Sequence, residues 1–229
     1  MNCKIINKAE EAMGLAVIID VFRAFTLEPY VINNGASKLI PVGDIEIAKS
    51  FKEKDNKCIL IGERNGIKLE GFDYGNSPSK IADVDFTGKT VVHTTSCGTQ
   101  GIVRAVNAKE IITGSLVNAG AIVEYIKNKN IKDISLVALS RPGEDPFEED
   151  LLCAEYLKAK LENKSTKLIE EQIENLKNTR GKIFFDNNMQ EHFPREDFEL
   201  CIEFNKFDFI LKANLKDDGI IEMKKIKMV

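Results

Sequence analysis

The sequence predicts an α/β protein of three layers, α/β/α, with a mainly parallel (mixed) sheet and a C-terminal antiparallel strand pair. From Leu15 to about Glu162, short apolar runs rich in β-branched residues alternate with amphipathic segments of helical period. Such alternation is typical of a parallel sheet covered by helices on both faces. Near the C-terminus, two apolar runs flank the turn Asp217-Asp218-Gly219, which indicates a hairpin. Since there is no internal repeat or clear linker, we predict a single elaborated domain over residues 1–229.

Six apolar runs before the hairpin are predicted strands, because each is short, β-branched and bounded by polar or turn-forming residues. They are, in order, Leu15–Ile19, Lys38–Val42, Cys58–Ile61, Thr90–His93, Glu110–Thr113 and Ile134–Leu139. The hairpin strands are Phe207–Leu211 and Ile220–Ile226. Residues 62–85 contain four glycines and Pro78. We predict a long irregular connection there, and long loops in compact domains are often functional.

Helices are predicted between these strands from apolar residues at helical spacing and from capping residues. Their ranges are Phe22–Ile32, Ile45–Lys54, Thr99–Val106, about 116–127, about 146–162, about 167–178 and about 194–204. Pro29 should break or kink the first of them. Asp44 is expected to cap the second. Asp145-Pro146-Phe147-Glu148 resembles the start of the fifth, with Asp as the cap, Pro at the first position and Glu at the third.

Composition narrows the class of partner and the cellular setting. The net charge is −4 with both signs interspersed, and without a basic block there is no footprint for nucleic acid. No apolar window approaches the ~20 residues of a membrane span, and the N-terminus lacks a secretion signal. The five cysteines are odd in number and far apart, which indicates free thiols in a reducing, cytoplasmic setting. Weak edge strands near the C-terminus would permit a homodimer.

Polar clusters follow directly after several of the predicted strands. Asp20 and Arg23 follow the first strand, Glu63 and Arg64 follow the third, and a hydroxyl-rich run at 94–99 follows the fourth. Because the carboxyl ends of parallel strands form the ligand-binding edge of α/β sheets, we expect these side chains to converge. Carboxylates, arginines, hydroxyls and glycines together suit a metal ion and a phosphate. The sequence therefore predicts a small anionic, phosphorylated substrate.

Each of these features also has a purely structural interpretation. Asp20 could simply cap the helix that follows it, and Glu63-Arg64 could be a solvated loop pair. The run at 94–99 could be a turn with a helix cap, although exposed N–H groups and hydroxyls there would suit an anion. Acidic residues are favoured in the first turn of a helix, which accounts for Glu148 better than for Glu149 and Asp150. Carboxylates without Cys or paired His favour Mg²⁺ over zinc.

Several mechanisms are excluded by missing motifs. The chain has no G-x-x-x-x-G-K-[ST] phosphate-binding loop. A Cys-x5-Arg phosphatase would need arginine at position 103, where Val103 stands, so Cys97 is interpreted as a packing residue. An Asp-x-Asp phosphatase would need aspartate at position 22, which is Phe22. His93 and His192 are solitary and are interpreted as structural.

A set of motifs, in order and spacing across nearly the whole chain, resembles the 2-phosphosulfolactate phosphatase family. They are Ile18-Ile19-Asp20-Val21-Phe22-Arg23-Ala24, Gly62-Glu63-Arg64-Asn65-Gly66, Gly71-Phe72-Asp73-Tyr74-Gly75-Asn76-Ser77-Pro78, Thr94-Thr95-Ser96-Cys97-Gly98-Thr99, Gly114-Ser115-Leu116-Val117-Asn118, Glu149-Asp150-Leu151-Leu152-Cys153-Ala154 and Phe193-Pro194-Arg195-Glu196-Asp197. The resemblance implies an α/β/α fold and Mg²⁺-dependent hydrolysis of (2R)-2-phospho-3-sulfolactate to sulfolactate and phosphate, on a route to coenzyme M. The chain departs from the family pattern at Ser96-Cys97 and at 139–144.

Together, residues and resemblance give a working hypothesis for the site. Catalysis is assigned to Asp20, Glu63 and Arg23, and Mg²⁺ binding, directly or through water, to Asp20 and Glu63 with either Glu149 or Asp150. Substrate binding is assigned to arginines, amides, hydroxyls and one glycine at the strand ends and in the long loop. These are Arg23, Arg64, Asn76, Ser77, Thr94, Thr95, Ser96, Gly98, Thr99, Ser115 and Asn118. Asp20 is either a metal ligand or a covalent nucleophile. The alternatives are a phosphatase of another small phosphorylated acid, and a non-catalytic protein that binds phosphorylated metabolites.

Overall fold

The computed structural model describes residues 1–141 and 143–228, and its strands form two mainly parallel sheets. The strands are β1 (Asn2–Ile6), β2 (Leu15–Ile19), β3 (Lys38–Pro41), β4 (Ile59–Arg64), β5 (Ile67–Lys68), β6 (Thr90–Thr94), β7 (Glu110–Gly114), β8 (Asp133–Ala138), β9 (Phe209–Leu215) and β10 (Ile221–Lys227). A six-stranded sheet has the order β1-β8-β2-β7-β9-β10, and a four-stranded sheet the order β3-β6-β4-β5. The α/β class and the antiparallel pair β9–β10 are confirmed, but two sheets replace the single predicted one.

The helices lie mostly where the sequence predicts them. They are α1 (Ala24–Asn33), α2 (Ile45–Lys54), α3 (Pro78–Ile81), α4 (Gly98–Arg104), α5 (Ala119–Asn128), α6 (Glu148–Leu161), α7 (Lys167–Asn175) and α8 (Arg195–Cys201). Helix α2 has the predicted bounds, and the Asp44 carboxylate caps it by accepting from the N–H groups of Glu46 and Ile47. Helix α6 begins two residues later than the predicted position at Pro146. Phe147 is extended there, and its N–H donates to the Leu139 carbonyl.

Strand β2 shows why the predicted layers form. All five of its residues are buried, with Leu15, Val17 and Ile19 in one apolar cluster and Ala16 and Ile18 in another. Successive side chains of a strand point to opposite faces, so both faces of the sheet are covered. The continuous apolar run that predicted the strand is the signature of that double burial.

Helix α1 continues through Pro29 instead of breaking there. A proline inside a helix lacks the N–H that would bond to the carbonyl four residues earlier, which here belongs to Phe25. The Ser115 hydroxyl donates to that Phe25 carbonyl at 3.0 Å. Of the predicted break or kink, the break is wrong, because a side chain from the segment after β7 satisfies the carbonyl.

Two strands, β1 and β5, and the short helix α3 were not predicted. Strand β1 pairs with β8 in parallel at one edge of the larger sheet. Strand β5 forms a tight hairpin with β4 inside the predicted loop, and Asn65 and Gly66 take positive φ angles of 54° and 81° at its turn. Asn-Gly is the residue pair that such two-residue hairpin turns prefer.

Two further properties bear on the setting of the protein. All five cysteines are free thiols, as predicted. Among the helices that the structure describes, none is long and apolar enough to cross a bilayer. A single domain over residues 1–229 and a homodimer both stay predictions.

Candidate active site

A cavity of about 240 Å³ lies where strand ends from both sheets come together. Asp20 follows β2 and Arg141 follows β8 of the larger sheet, while Glu63 lies in β4 and Ser96 follows β6 of the smaller one. All four residues line this first cavity. The polar strand ends thus converge, although they come from two sheets.

Asp20 lies on the floor of the first cavity with 7% of its surface exposed. Its Oδ1 accepts a hydrogen bond from the N–H of Ala24, the first residue of α1, so the helix-capping interpretation also holds. Burial and the charge of Glu63 raise the pKa of Asp20 to about 6, while the Ala24 N–H bond acts to lower it. Capping occupies one carboxylate oxygen and leaves Oδ2 as the candidate ligand.

Both oxygens of the Glu63 carboxylate are engaged by the neighbouring backbone. Oε2 accepts from the Gly66 N–H at 2.6 Å and from the Ser96 hydroxyl at 3.1 Å. Oε1 accepts from the Ser96 N–H at 2.7 Å, and the Ser96 hydroxyl in turn accepts from the Asn65 N–H. Glu63 therefore joins the β4–β5 turn to the loop after β6.

Two further carboxylates open helix α6, and both are at least 98% buried. Glu149 lines the first cavity, and its Oε1 lies 3.7 Å from Nε of Arg180. Asp150 does not line it, since its Oδ1 accepts from the Val21 N–H behind the site. Burial raises the pKa of Glu149 to about 7, and burial with the charges of Glu149 and Asp20 raises the pKa of Asp150 well above its usual range.

The donor set fits a hydrated magnesium ion better than an all-protein cage. Oε2 of Glu149 and Oδ1 of Asn76 are buried without a hydrogen-bond partner among the described residues, and both side chains line the first cavity. Within residues 1–141 and 143–228, no group of three or more His, Cys, Asp or Glu side chains is close enough to surround a metal ion. Mg²⁺ usually keeps several waters and needs only one or two carboxylates.

Arg23 lines the first cavity, but its guanidinium is held by the protein. Nη1 lies 2.6 Å from Oδ2 of Asp197 and 2.8 Å from the His192 carbonyl oxygen, and Nη2 donates to the Gly66 carbonyl. Oδ1 of Asp197 accepts from the Ser77 hydroxyl at 2.9 Å. The structure thus gives Ser77 a bond to Asp197 and places it away from the cavity lining.

Like Arg23, Asn76 and Ser96 line the first cavity, whereas the remaining residues assigned to substrate binding lie outside its lining. The Arg64 guanidinium donates to the Glu63 carbonyl and to the Thr94 hydroxyl. The Thr95 N–H donates to the Thr99 hydroxyl, and the Thr99 N–H donates to the Thr95 hydroxyl, which closes the turn before α4. These four side chains are therefore used in shaping the loop after β6.

Gly98 contributes by lacking a side chain. A Cβ built on it would lie 2.7 Å from Oδ2 of Asp20 and 2.8 Å from the Ala24 side chain. Only glycine allows the start of α4 to approach Asp20 so closely.

Ser115 and Asn118 are fully buried and form a capping box in the 3-10 turn after β7. The Asn118 side chain accepts from the Ser115 N–H, while the Ser115 hydroxyl reaches Phe25. Both residues follow β7 and are absent from the lining of the first cavity.

Sequence reasoning missed the apolar wall of the first cavity and two of its arginines. The wall is formed by Phe22, Ile67, Phe147, Ile183, Phe184, Met189 and Phe193. Arg180 lies over the Phe147 ring at 4.8 Å, and Arg141 is exposed. The family motif ending in Asp197 was the available signal for the segment at 180–197.

Cys97 also lines the first cavity, and burial raises its thiol pKa to about 12, so it stays protonated.

A family model described as 2-phosphosulpholactate phosphatase matches residues 3–215. The chain belongs to the 2-phosphosulpholactate phosphatase family. A relative from Thermotoga petrophila is 36% identical over 201 residues, covering 86% of each chain. One from Thermoplasma volcanium is 32% identical over 204 residues, covering 89% of this chain and 91% of the relative. One from Caldicellulosiruptor saccharolyticus is 44% identical over 146 residues, covering 62% of this chain and 60% of the relative. Each is named a probable 2-phosphosulfolactate phosphatase. The resemblance stated from the motifs is thereby confirmed.

Proposed function

We propose that this chain is a Mg²⁺-dependent phosphatase that hydrolyses 2-phosphosulfolactate to sulfolactate and phosphate. The observation that carries the proposal is the convergence of Asp20, Glu63, Glu149 and Ser96 on one cavity from two sheets and the start of α6. The names of the relatives supply the substrate. On the same basis we propose a place on a route to coenzyme M, and the five free thiols favour a reducing cytoplasm.

Asp20 and Glu149 are the residues that would hold Mg²⁺, with the Asn76 amide oxygen beside them. Each brings an oxygen to the first cavity, and the raised pKa values of Asp20 and Glu149 record the cost of burying two carboxylates together. When bound, Mg²⁺ would polarise the phosphoryl oxygens and orient the attacking water. Glu63, whose oxygens are already hydrogen-bonded, would act through water or by holding Ser96 in place.

The remaining residues of the first cavity have positioning roles in this proposal. Arg23 brings positive charge to the cavity while Asp197 fixes its guanidinium. The Asn65 side-chain amide offers hydrogen bonds to equatorial phosphoryl oxygens, where phosphoryl transfer develops charge, while the Ser96 hydroxyl donates to Glu63 and holds that carboxylate in place. The wall around Phe184 and Phe193 keeps bulk water away from the carboxylates.

The test is phosphate release from 2-phosphosulfolactate and a panel of other small phospho-acids, with Mg²⁺ and then with EDTA. We expect turnover of 2-phosphosulfolactate that EDTA abolishes and added Mg²⁺ restores. Asp20→Asn should lower kcat by about a thousandfold, the scale on which a residue acting in the transition state contributes. Asp208→Asn is the matched control, because that aspartate is a surface residue paired with Lys227.

Three results would contradict parts of the proposal. If the protein preferred another phospho-acid, the proposed substrate would be wrong, but the proposed phosphatase reaction would stand. Turnover unchanged in EDTA would refute the metal. Tight binding of phospho-acids without release under any condition would identify a non-catalytic binding protein.

A further inference from the structure

A second cavity, of about 600 Å³, adjoins the first. The two cavities share four lining residues, which are Asn65, Ser96, Cys97 and Arg141. Arg141 is the one cationic side chain among the described residues that lines both. It follows β8.

The other arginines around the first cavity are held by protein partners. Arg23 is ion-paired with buried Asp197, and Arg64 donates to a backbone carbonyl and to Thr94. Arg180 lies between Glu149 and the Phe147 ring. In the described part of the chain, no group forms a hydrogen bond or an ion pair with the Arg141 guanidinium, which is exposed. Arg141 is therefore the arginine best placed to exchange water for a ligand.

The charge distribution of the cleft adds a second argument. The floor of the first cavity carries Asp20, Glu63 and Glu149, which repel any anionic group that is not offset by a cation. The substrate of the proposed function carries a sulfonate and a carboxylate besides its phosphate. The positive charge of Arg141 reaches Cys97 on the floor, where it acts against the burial that raises the thiol pKa. Arg141 thus brings an exposed positive charge to the lining that the two cavities share.

We propose that Arg141 is a specificity-determining residue that binds the sulfonate of the substrate at the junction of the two cavities, while the phosphoryl group occupies the first. This inference rests on the proposed function. A guanidinium presents a planar fork of donors that matches two oxygens of a sulfonate, and its charge is kept at any working pH. The phosphoryl group then faces Ser96 and the carboxylates of the first cavity.

The experiment compares two substrates in three variants. 2-Phosphosulfolactate carries the sulfonate, and 2-phospholactate has hydrogen in its place. The variants are Arg141→Ala, Arg141→Lys and Arg104→Ala, a matched control because Arg104 lines the second cavity alone. For the sulfonate substrate, Arg141→Ala should raise KM about 10- to 100-fold, the scale of a charge-assisted hydrogen bond, and leave kcat within about threefold. For 2-phospholactate, both constants should stay within about threefold of wild type.

Arg141→Lys should recover part of the loss, because a lysine keeps the charge and loses the fork. Equal losses on both substrates after Arg141→Ala would overturn the inference, as would the same selective loss in Arg104→Ala. If wild type releases no phosphate from 2-phosphosulfolactate, the proposed function fails instead. Titration of sulfolactate by calorimetry then decides the inference: about tenfold weaker binding to Arg141→Ala supports it, and equal or absent binding refutes it.

Discussion

Removing one partner of the buried ion pair between Arg23 and Asp197 should be one of the most destabilising single substitutions in this protein. The two side chains are 3% and 0% exposed, and Nη1 lies 2.6 Å from Oδ2. Asp197→Asn removes the negative charge and leaves a guanidinium in the interior without compensation. Breaking a buried pair from one side costs about 3–5 kcal/mol of the free energy of unfolding.

The hydrogen bonds that Asp197 accepts place the expected loss of stability toward the upper end of this range. Oδ1 of Asp197 accepts from the Ser77 hydroxyl and from both the N–H and the hydroxyl of Ser79, at 2.6 to 2.9 Å. An asparagine at this position could accept with only one of its two side-chain atoms. The same substitution therefore weakens the contact between α8 and the residues around the start of α3, and it also leaves the buried charge of Arg23 without its partner.

The assay is urea denaturation followed by circular dichroism, in EDTA to remove any effect of bound metal. Glu199→Gln is the control on the same helix, because Glu199 lies 4.0 Å from Arg195 in a pair that is 59% and 66% exposed. We expect the control to stay within about 0.5 kcal/mol of wild type. The double variant Arg23→Met/Asp197→Leu should be no less stable than Asp197→Asn, since no unpaired charge is left. A loss below about 1 kcal/mol in Asp197→Asn would refute the reasoning, because that is the scale of an exposed pair.

Three further predictions concern the site. Burial raises the pKa of Glu149 to about 7 from 4.5, because the folded protein favours the neutral carboxyl. The contribution of Glu149 to stability is therefore fully present below pH 4.5 and is lost as the pH rises through about 7. In urea denaturation with EDTA present, the free energy of unfolding of Glu149→Gln should rise relative to wild type by up to about 3 kcal/mol between pH 5 and pH 8. A difference that does not change with pH would contradict this. Gly98→Ala should lower kcat at least about tenfold by displacing Asp20, whereas Gly101→Ala, whose Cβ would meet Ile18, should lower stability with little change in kcat. Cys97→Ala should keep kcat within about threefold in phosphate-release assays, because a thiol with a pKa of about 12 is not a nucleophile, and loss of turnover would reverse that assignment.

Local patterns in the sequence predict most elements of this fold. The run Leu15–Ile19 predicts β2 because both faces of that strand are buried. Asp44 predicts the start of α2 because a cap is a contact within a few residues. Strand β1 was missed, since it lies at the sheet edge and alternates Asn2 and Lys4 with partly buried residues.

Long-range contacts account for what could not be predicted. The division into two sheets depends on which strands pair, and a single sequence gives no pairing information for strands joined by crossovers. The Ser115 hydroxyl bonds to Phe25, 90 residues away, and Arg23 pairs with Asp197, 174 residues away. The sequence analysis assigned Ser115 and Arg23 to substrate binding because a hydroxyl and a guanidinium suit an anionic substrate. Their protein partners are too far away in sequence to be predicted from local patterns.

The two-sheet architecture makes the spacing of the site carboxylates a property of the core. Asp20 belongs to one sheet and Glu63 to the other, and between these sheets Ile18, Phe25 and Ile61 share one apolar cluster. A methylene added or removed in that cluster would shift one sheet against the other, since cores of this density do not absorb volume changes freely. The distance between the Asp20 and Glu63 carboxylates can therefore be changed by core substitutions that lie outside the cavity lining.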